Sequence, residues 1–192
     1  MVAVSGSLTN PSRTTALVEA IANAFGAVIP IESHLITLNE LGPHLAGALT
    51  RKELPEAAEA ELERIETADL LIVASPVYRA SFTGLFKHLF DFVDQYALVD
   101  TPVLLAATGG SERHALIIEH QLRPLFSFFQ SLALPVGVYA HDSDFTDYRV
   151  SNDQLTERIA KAVARALPLV RSSQAEREAV ERTLAGESVV EE

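Results

Sequence analysis

The chain has 192 residues, of which 48% are hydrophobic and 21% are charged, a length sufficient for one domain with a substantial core. Its formal net charge of −11 repels nucleic acid and anionic membrane surfaces, so we expect neither as a partner. Cysteine is absent, which excludes disulfides, iron–sulfur clusters, thiolate zinc sites and cysteine nucleophiles.

Strand-like and helix-like patterns alternate along the chain. Residues 39–54 contain Gly42, Pro43 and Gly47 and are predicted to be irregular. Ser151 is the expected N-cap of the last helix. In chain order the patterns predict strand 1–4, helix 12–25, a strand within 28–38, helix 55–67, strand 69–75, helix 82–93, strand 102–107, helix 113–132, strand 134–140 and helix 151–170.

This alternation predicts an α/β fold in which a five-stranded parallel sheet is doubly wound, with helices on both faces. We assign residues 1–171 to this domain. Residues 172–192 form a polar, acidic C-terminal tail that is either a loosely attached helix or disordered.

The strand order of such a sheet fixes where a ligand binds. With the order 2-1-3-4-5, the crevice lies at the carboxyl ends of the strands, between strands 1 and 3. The loops that follow strands 1, 3 and 4 are therefore the expected site.

The first of these loops, residues 5–15, has the composition of a phosphate site. It contains one glycine, six hydroxyl side chains and one arginine, and it opens a helix. The N-terminus of a helix offers unpaired N–H groups and a partial positive charge, and the arginine can bind two oxygens at once. The alternative is a Ser/Thr-rich N-cap without a ligand.

The other two loops are compatible with a planar ligand. Pro76 stiffens the second loop and leaves Tyr78 and Arg79 at its rim, unless Tyr78 only caps the sheet and Arg79 is solvated. In the third loop, Gly109 and Gly110 would let backbone N–H groups approach a ligand. The alternative there is a tight strand-to-helix turn.

Three segments together resemble a known family: Ser-Gly-Ser…Pro-Ser-Arg-Thr-Thr, Ala-Ser-Pro-Val-Tyr-Arg-Ala-Ser-Phe-Thr-Gly-Leu-Phe-Lys and Ala-Thr-Gly-Gly. They look like the NADPH-dependent FMN reductases of the flavodoxin-like superfamily, in particular those of two-component alkanesulfonate and methanesulfonate monooxygenase systems. The resemblance covers about residues 2–170. It implies a flavin phosphate held by Ser7, Ser12, Arg13 and Thr14, a ribityl chain and ring bordered by Pro76, Val77, Tyr78 and Arg79, and a far ring edge at Thr108, Gly109, Gly110 and Ser111.

The resemblance implies a reaction as well as a site. The chain would transfer hydride from NADH or NADPH to FMN and release FMNH2 to a flavin-dependent monooxygenase of sulfonate or sulfur assimilation. No acid or base residue is required, because the cofactors carry the chemistry. Two alternatives are an FMN-bound quinone or azo reductase and a non-catalytic flavodoxin-like electron carrier.

The helix predicted over 113–132 is apolar nearly all round, which indicates burial on both sides and hence a homo-oligomer. The resemblance implies a dimer or a tetramer made of two dimers. Pro124 removes the N–H partner of the His120 carbonyl, so we expect a π-bulge or a plain kink there. By resemblance, His120 is a candidate modulator at this π-helix and interface.

Two further patterns predict what the chain lacks. The spacing of the histidines and the acidic stretch at Asp142, Asp144 and Asp147 fit no metal motif, so we expect no metal and interpret that stretch as a solvated loop. No apolar run approaches the roughly 18 residues of a transmembrane helix, and the first residues do not resemble a signal peptide. We therefore expect a cytoplasmic protein.

Overall fold

The computed structural model describes residues 1–184. Its centre is a parallel sheet with the order β2-β1-β3-β4-β5, in which a sixth strand, β6, also pairs with β4. The predicted α/β fold and strand order are thereby confirmed. The strands are β1 (Val2–Ser5), β2 (His34–Thr37), β3 (Leu71–Pro76), β4 (Pro102–Gly109), β5 (Leu132–Ala133) and β6 (Val138–His141).

Helices cover both faces of the sheet. The α-helices are α1 (Arg13–Gly26), α2 (Leu38–Leu45), α3 (Glu56–Glu66), α4 (Gly84–Phe92), α5 (Arg123–Phe128) and α6 (Asp153–Leu184). Successive strand residues point to opposite faces, so Ile72 packs with α1 and α6 whereas Val73 packs with α3, α4 and α5. None of the helices in the described range is long and apolar enough to cross a membrane.

The prediction of irregular structure over 39–54 is wrong for its first part, where α2 lies. Leu38, Leu41 and Leu45 are buried at helical spacing, and this burial outweighs the missing N–H of Pro43. Gly42 is also buried, and a Cβ there would lie 3.1 Å from Leu85 Cδ1. The glycine thus allows α2 to lie close to α4.

The strand predicted over 134–140 is only partly correct, because β6 covers its end and β5 lies before its start. β5 and β6 both pair with β4, and the N–H of Leu134 still donates to the Val103 carbonyl at 2.9 Å, but residues 135–137 do not pair with β4. Pro135 lacks an N–H for the ladder. A Cβ at Gly137 would lie 2.6 Å from Ile118 Cγ2. The segment that contains Ile118 therefore packs closely against the chain at the point where it leaves the sheet.

That neighbouring segment is the predicted long helix, which is broken into three parts. A 3₁₀ turn (Glu112–His114) is followed by a π-helix (Ile118–Leu122) and then by α5. The N–H of Arg123 bonds to the carbonyl of Ile118, five residues back. Of the two alternatives weighed for Pro124, the structure has the π-helix.

The last helix continues beyond the predicted domain end at residue 171. Ser173 is buried and its hydroxyl donates to the Asp100 carbonyl at 3.2 Å. Arg177 donates to Thr101 Oγ1 at 2.6 Å. Residues 172–184 therefore continue α6, which contacts the residues just before β4 through Ser173 and Arg177, whereas the rest of the predicted tail, 185–192, lies outside the described residues. The expected N-cap Ser151 is wrong, since Asn152 Oδ1 accepts the N–H of Gln154 at 2.8 Å.

The end of β1 approaches β3 through a glycine. The N–H of Gly6 donates to the Ala74 carbonyl at 2.7 Å. A Cβ at Gly6 would lie 2.8 Å from Phe86 Cδ2 and 3.0 Å from that carbonyl. Backbone and a buried ring therefore leave no space for a side chain.

We expect Gly6→Ala to lower the free energy of unfolding by about 1–3 kcal/mol, the usual cost of overpacking. Gly84→Ala is the matched control, because a Cβ there has no neighbour within 4 Å and should leave stability unchanged or raise it by about 0.5 kcal/mol. Urea unfolding at equilibrium measures both. Equal stabilities of the two variants would contradict the close approach of β1 to β3.

Candidate functional site

A cleft of about 290 Å³ opens at the carboxyl ends of β1, β3 and β4. This is the switch point at which ligands bind in sheets of this order. The cleft brings together ten of the twelve binding residues predicted from the sequence. Its lining comprises Ser7, Thr9, Pro11, Ser12, Arg13, Thr14, Pro76, Val77, Tyr78, Thr108, Gly109, Gly110, Asp142 and Tyr148.

In the first loop, Ser12 caps α1. Its Oγ accepts the N–H groups of Thr14 at 3.1 Å and Thr15 at 3.2 Å. The N-cap of the alternative interpretation is therefore present, and these two N–H groups have a partner. The loop also brings to the cleft the buried Ser7 hydroxyl, the Thr9 hydroxyl and the guanidinium of Arg13, whose side chain is 46% exposed.

Buried hydroxyl groups tie the three loops together. Thr14 Oγ1 and Thr108 Oγ1 lie 2.6 Å apart, which joins the first loop to the end of β4. Thr83 Oγ1 donates to the Gly6 carbonyl at 3.0 Å, which joins the first loop to the start of α4. A hydrogen bond between buried hydroxyls has no water to compete with it, so the walls of the cleft are fixed relative to one another.

The second loop contains a strained turn. Tyr78 and Ser81 bond to each other through both backbone N–H groups, at 2.8 and 3.1 Å. Arg79 and Ala80 between them have φ values of 50° and 67°, a left-handed conformation that costs a non-glycine residue roughly 1–2 kcal/mol. The turn directs Tyr78 into the cleft lining, whereas Arg79 is exposed and not part of that lining.

Tyr139 fixes the position of the third loop through a hydrogen bond. Its hydroxyl donates to the Ser111 carbonyl at 2.6 Å. Burial raises the pKa of Tyr139, so the hydroxyl keeps its proton and remains a donor. A Cβ at Gly109 would lie 2.8 Å from this hydroxyl, which explains the glycine by close packing. Ser111 caps the following 3₁₀ turn and is not part of the lining.

The fourth wall of the cleft is the segment after β6, which is not among the three loops predicted from the sequence. Asp142 Oδ1 lies 3.4 Å from Arg13 Nη1, and the Arg13 guanidinium lies 5.9 Å from the centroid of the Tyr148 ring. The interpretation of this segment as a solvated loop is wrong for Asp144, which is buried and accepts from Asn152 Nδ2 at 2.6 Å. The signal available in the sequence was the pair Asp147-Tyr148 in a short hairpin.

That hairpin joins β7 (Phe145–Thr146) to β8 (Arg149–Val150). Asp147 and Tyr148 have φ values of 48° and 57°, which match the two-residue turn that antiparallel strands prefer. Among the described residues, no group of three or more His, Asp or Glu side chains is placed to hold a metal ion.

The π-helix lies outside the cleft but contacts one of its loops. Ser81 Oγ donates to Gln121 Oε1 at 3.2 Å, which connects the π-helix to the strained turn. His120 is exposed and does not line the cleft. A hydrogen bond from Arg123 lowers the pKa of Glu119, so this ion pair across the end of the π-helix is charged at neutral pH.

Comparison with known proteins gives a family. The family described as NADPH-dependent FMN reductase matches residues 1–146. The chain is 59% identical over 169 residues to the NADH-dependent FMN reductase SfnF of Pseudomonas fluorescens strain Pf0-1, covering 88% of this chain and 90% of that protein. It is 54% identical to an FMN reductase (NADPH) of Pseudomonas aeruginosa, over 88% of this chain and 91% of the relative.

A solved structure agrees with the fold. The crystal structure of an oxidoreductase from Corynebacterium diphtheriae superposes with a TM-score of 0.76 at 34% identity, covering 89% of this chain and 96% of that chain. The two relatives from Pseudomonas are described with different nicotinamide nucleotides, although each match covers 88% of this chain.

Proposed function

Because the chain belongs to the NADPH-dependent FMN reductase family and is an NAD(P)H:FMN oxidoreductase, we propose that it supplies reduced FMN to a partner flavin-dependent monooxygenase. The Pseudomonas relatives are described as FMN reductases, which supports the supply of reduced FMN, and the role in sulfonate or sulfur assimilation rests on the sequence resemblance. In the overall reaction, NAD(P)H gives a hydride to FMN, a proton is taken up, and NAD(P)⁺ and FMNH2 are released. Such a donor would work in the cytoplasm, where its nucleotides are.

The observation that carries the site assignment is the convergence of three loops on one cleft that contains one arginine. A phosphate near the start of α1 would meet Arg13 and the hydroxyl of Ser7, with Ser12 and Thr14 beside it. The α1 N-terminus adds a partial positive charge. We propose these four residues as the phosphate-binding residues.

The other two loops would hold the planar part of the flavin. Pro76, Val77 and Tyr78 form one wall, and Thr108, Gly109 and Gly110 form another. Fixed walls orient a flat ring and keep water from one of its faces, which leaves the other face for the nicotinamide. Arg79 and Ser111 stand just outside the lining and would contact the flavin only at its rim.

No side chain in this assignment transfers a proton. The work of the protein is to hold two flat rings parallel in a cleft that excludes water. The preference between NADH and NADPH does not follow from overall similarity, because relatives at 59% and 54% identity are described with different nucleotides.

We also propose a homo-oligomer, either a dimer or a tetramer. A groove of about 450 Å³ between α4 and α5 is lined by Phe90, Leu125, Phe128 and Phe129, among others. Phe128 is 63% exposed, and Leu116, at the N-terminal side of the π-helix, is 59% exposed. Exposed apolar patches of this kind mark protein–protein contacts. His120 lies on the same segment and would act at such an interface.

The activity is tested with purified protein. We expect a colourless preparation that oxidises NADH or NADPH only when FMN is added. An absorbance scan at 450 nm and gel filtration accompany the rate measurement. A yellow protein that turns over quinones would favour the alternative of an FMN-bound quinone or azo reductase, and a yellow monomer without NAD(P)H oxidation would favour an electron carrier.

The phosphate assignment is tested by Arg13→Ala. Loss of a charged hydrogen bond should weaken FMN binding by about 1.5–3 kcal/mol. Riboflavin, which lacks the phosphate, is the control ligand and should bind both proteins equally. Unchanged FMN affinity, measured by titration of flavin fluorescence, would remove Arg13 from the phosphate site.

The role of the π-helix is tested by deleting His120, which shortens the segment to the length of a regular helix. The deletion would turn Gln121 and Leu116 relative to each other around the helix axis, so the Gln121 contact with Ser81 and the exposed Leu116 could not both keep their positions. We therefore expect a change in flavin retention or in oligomeric state. Gel filtration and the fluorescence titration measure the two. Wild-type behaviour in both would show that the π-helix has no such role.

A further inference from the structure

Arg13 already has an anionic neighbour in the cleft. Of the described residues that line it, Arg13 is the one cation and Asp142 is the one carboxylate. Their closest atoms lie 3.4 Å apart, and the two side chains are 46% and 47% exposed. The position beside Arg13 where a phosphate would bind is thus next to a negative charge.

The carboxylate is held there by its own backbone. Asp142 begins a 3₁₀ turn whose last residue is Asp144. The buried Asp144 carboxylate accepts the N–H of His141 at 2.8 Å, which fixes the start of the turn. A Cβ at Gly110 would lie 3.2 Å from Asp142 Oδ2, so Asp142 also lies directly against the third loop.

Two effects of this neighbour on a bound phosphate have opposite signs. Asp142 could orient Arg13 for the phosphate, or it could repel the phosphate. The distance of 3.4 Å exceeds the roughly 2.7–2.9 Å of a strong charged hydrogen bond, and exposed ion pairs of this kind stabilise little. Tyr148, with its ring centroid 5.9 Å from the guanidinium, also contributes to the placement of Arg13. Orientation is therefore the weaker effect, and charge is the stronger one.

We propose that Asp142 is a specificity-determining residue that competes with the flavin phosphate for Arg13 and so keeps FMN exchangeable. The proposal rests on the proposed function, in which FMN binds as a substrate and leaves as FMNH2. A phosphate monoester carries roughly −1.5 to −2 charges at neutral pH. When it binds beside Arg13, the Asp142 carboxylate repels it, and this repulsion lowers the affinity for the phosphorylated flavin alone, whereas the loss of the exposed Arg13–Asp142 pair costs little.

The test is Asp142→Asn, which keeps the size of the side chain and removes its charge. Titration of flavin fluorescence with the full chain should show a Kd for FMN about tenfold lower than in the wild type at low salt, from the loss of repulsion over a few ångströms. The Kd for riboflavin should change by less than about twofold. The difference for FMN should shrink at high salt, because the charges are partly exposed.

Asp147→Asn is the matched control. It removes the same charge from the same segment, but Asp147 is exposed and is not part of the cleft lining. Asparagine also tolerates the left-handed conformation found there. We expect its FMN affinity to stay near that of the wild type. Asp142→Ser serves as a second variant should the asparagine protein fail to fold.

Three outcomes would overturn the proposal. Weaker FMN binding by Asp142→Asn would show that Asp142 orients Arg13, and unchanged binding would show that the phosphate lies elsewhere. Equal tightening of FMN and riboflavin would place the effect at the ring. A different result would contradict the proposed function, namely a wild-type protein that does not oxidise NAD(P)H when FMN is added. That result is independent of the flavin affinities of the variants.

Discussion

The parallel pairing of β1, β3 and β4 is the constraint on which the site depends. In register, Ser5 of β1 pairs with Ala74 of β3, and Ala74 pairs with Ala106 of β4. Parallel strands end at the same edge of the sheet, so three loops that are far apart in the chain start side by side along this edge. Gly6 makes this approach possible, and the hydroxyl pair of Thr14 and Thr108 then locks it.

Much of this arrangement could be predicted because it repeats a pattern. The strand predicted over 69–75 contains a continuous apolar run at residues 70–74, and such runs are typical of strands that are covered on both faces. Once the alternation of strands and helices gives the sheet, the switch point follows from topology. The family resemblance then names twelve binding residues in these loops, and ten of them line one cleft.

The features that could not be predicted arise from contacts between distant segments. Pro124 predicts a π-bulge or a plain kink, and the local sequence cannot decide between them, because Ile118 of the π-helix packs against the distant Gly137. Asp142 is 129 residues from Arg13 in the chain, and no local pattern distinguishes it from Asp147, which faces solvent. Arg79 and Ala80 have the left-handed backbone conformation that glycine favours, so their residue types do not predict this turn. The surrounding hydrogen bonds impose it.

The structure of the cleft is consistent with a flavin that binds as a substrate and is released. In a protein that retains its flavin, every additional donor to the phosphate raises the binding affinity. A protein that releases its flavin instead needs a rigid cleft that orients the ring and a low affinity for the phosphate. Buried hydroxyl pairs and the Tyr139 bond supply rigidity without adding affinity, because they bond protein to protein. In the proposal above, Arg13 beside Asp142 gives the low affinity for the phosphate. On this argument the same fold could be converted from releasing flavin to retaining it by a change of charge at one position, with the sheet, the turn and the π-helix left as they are.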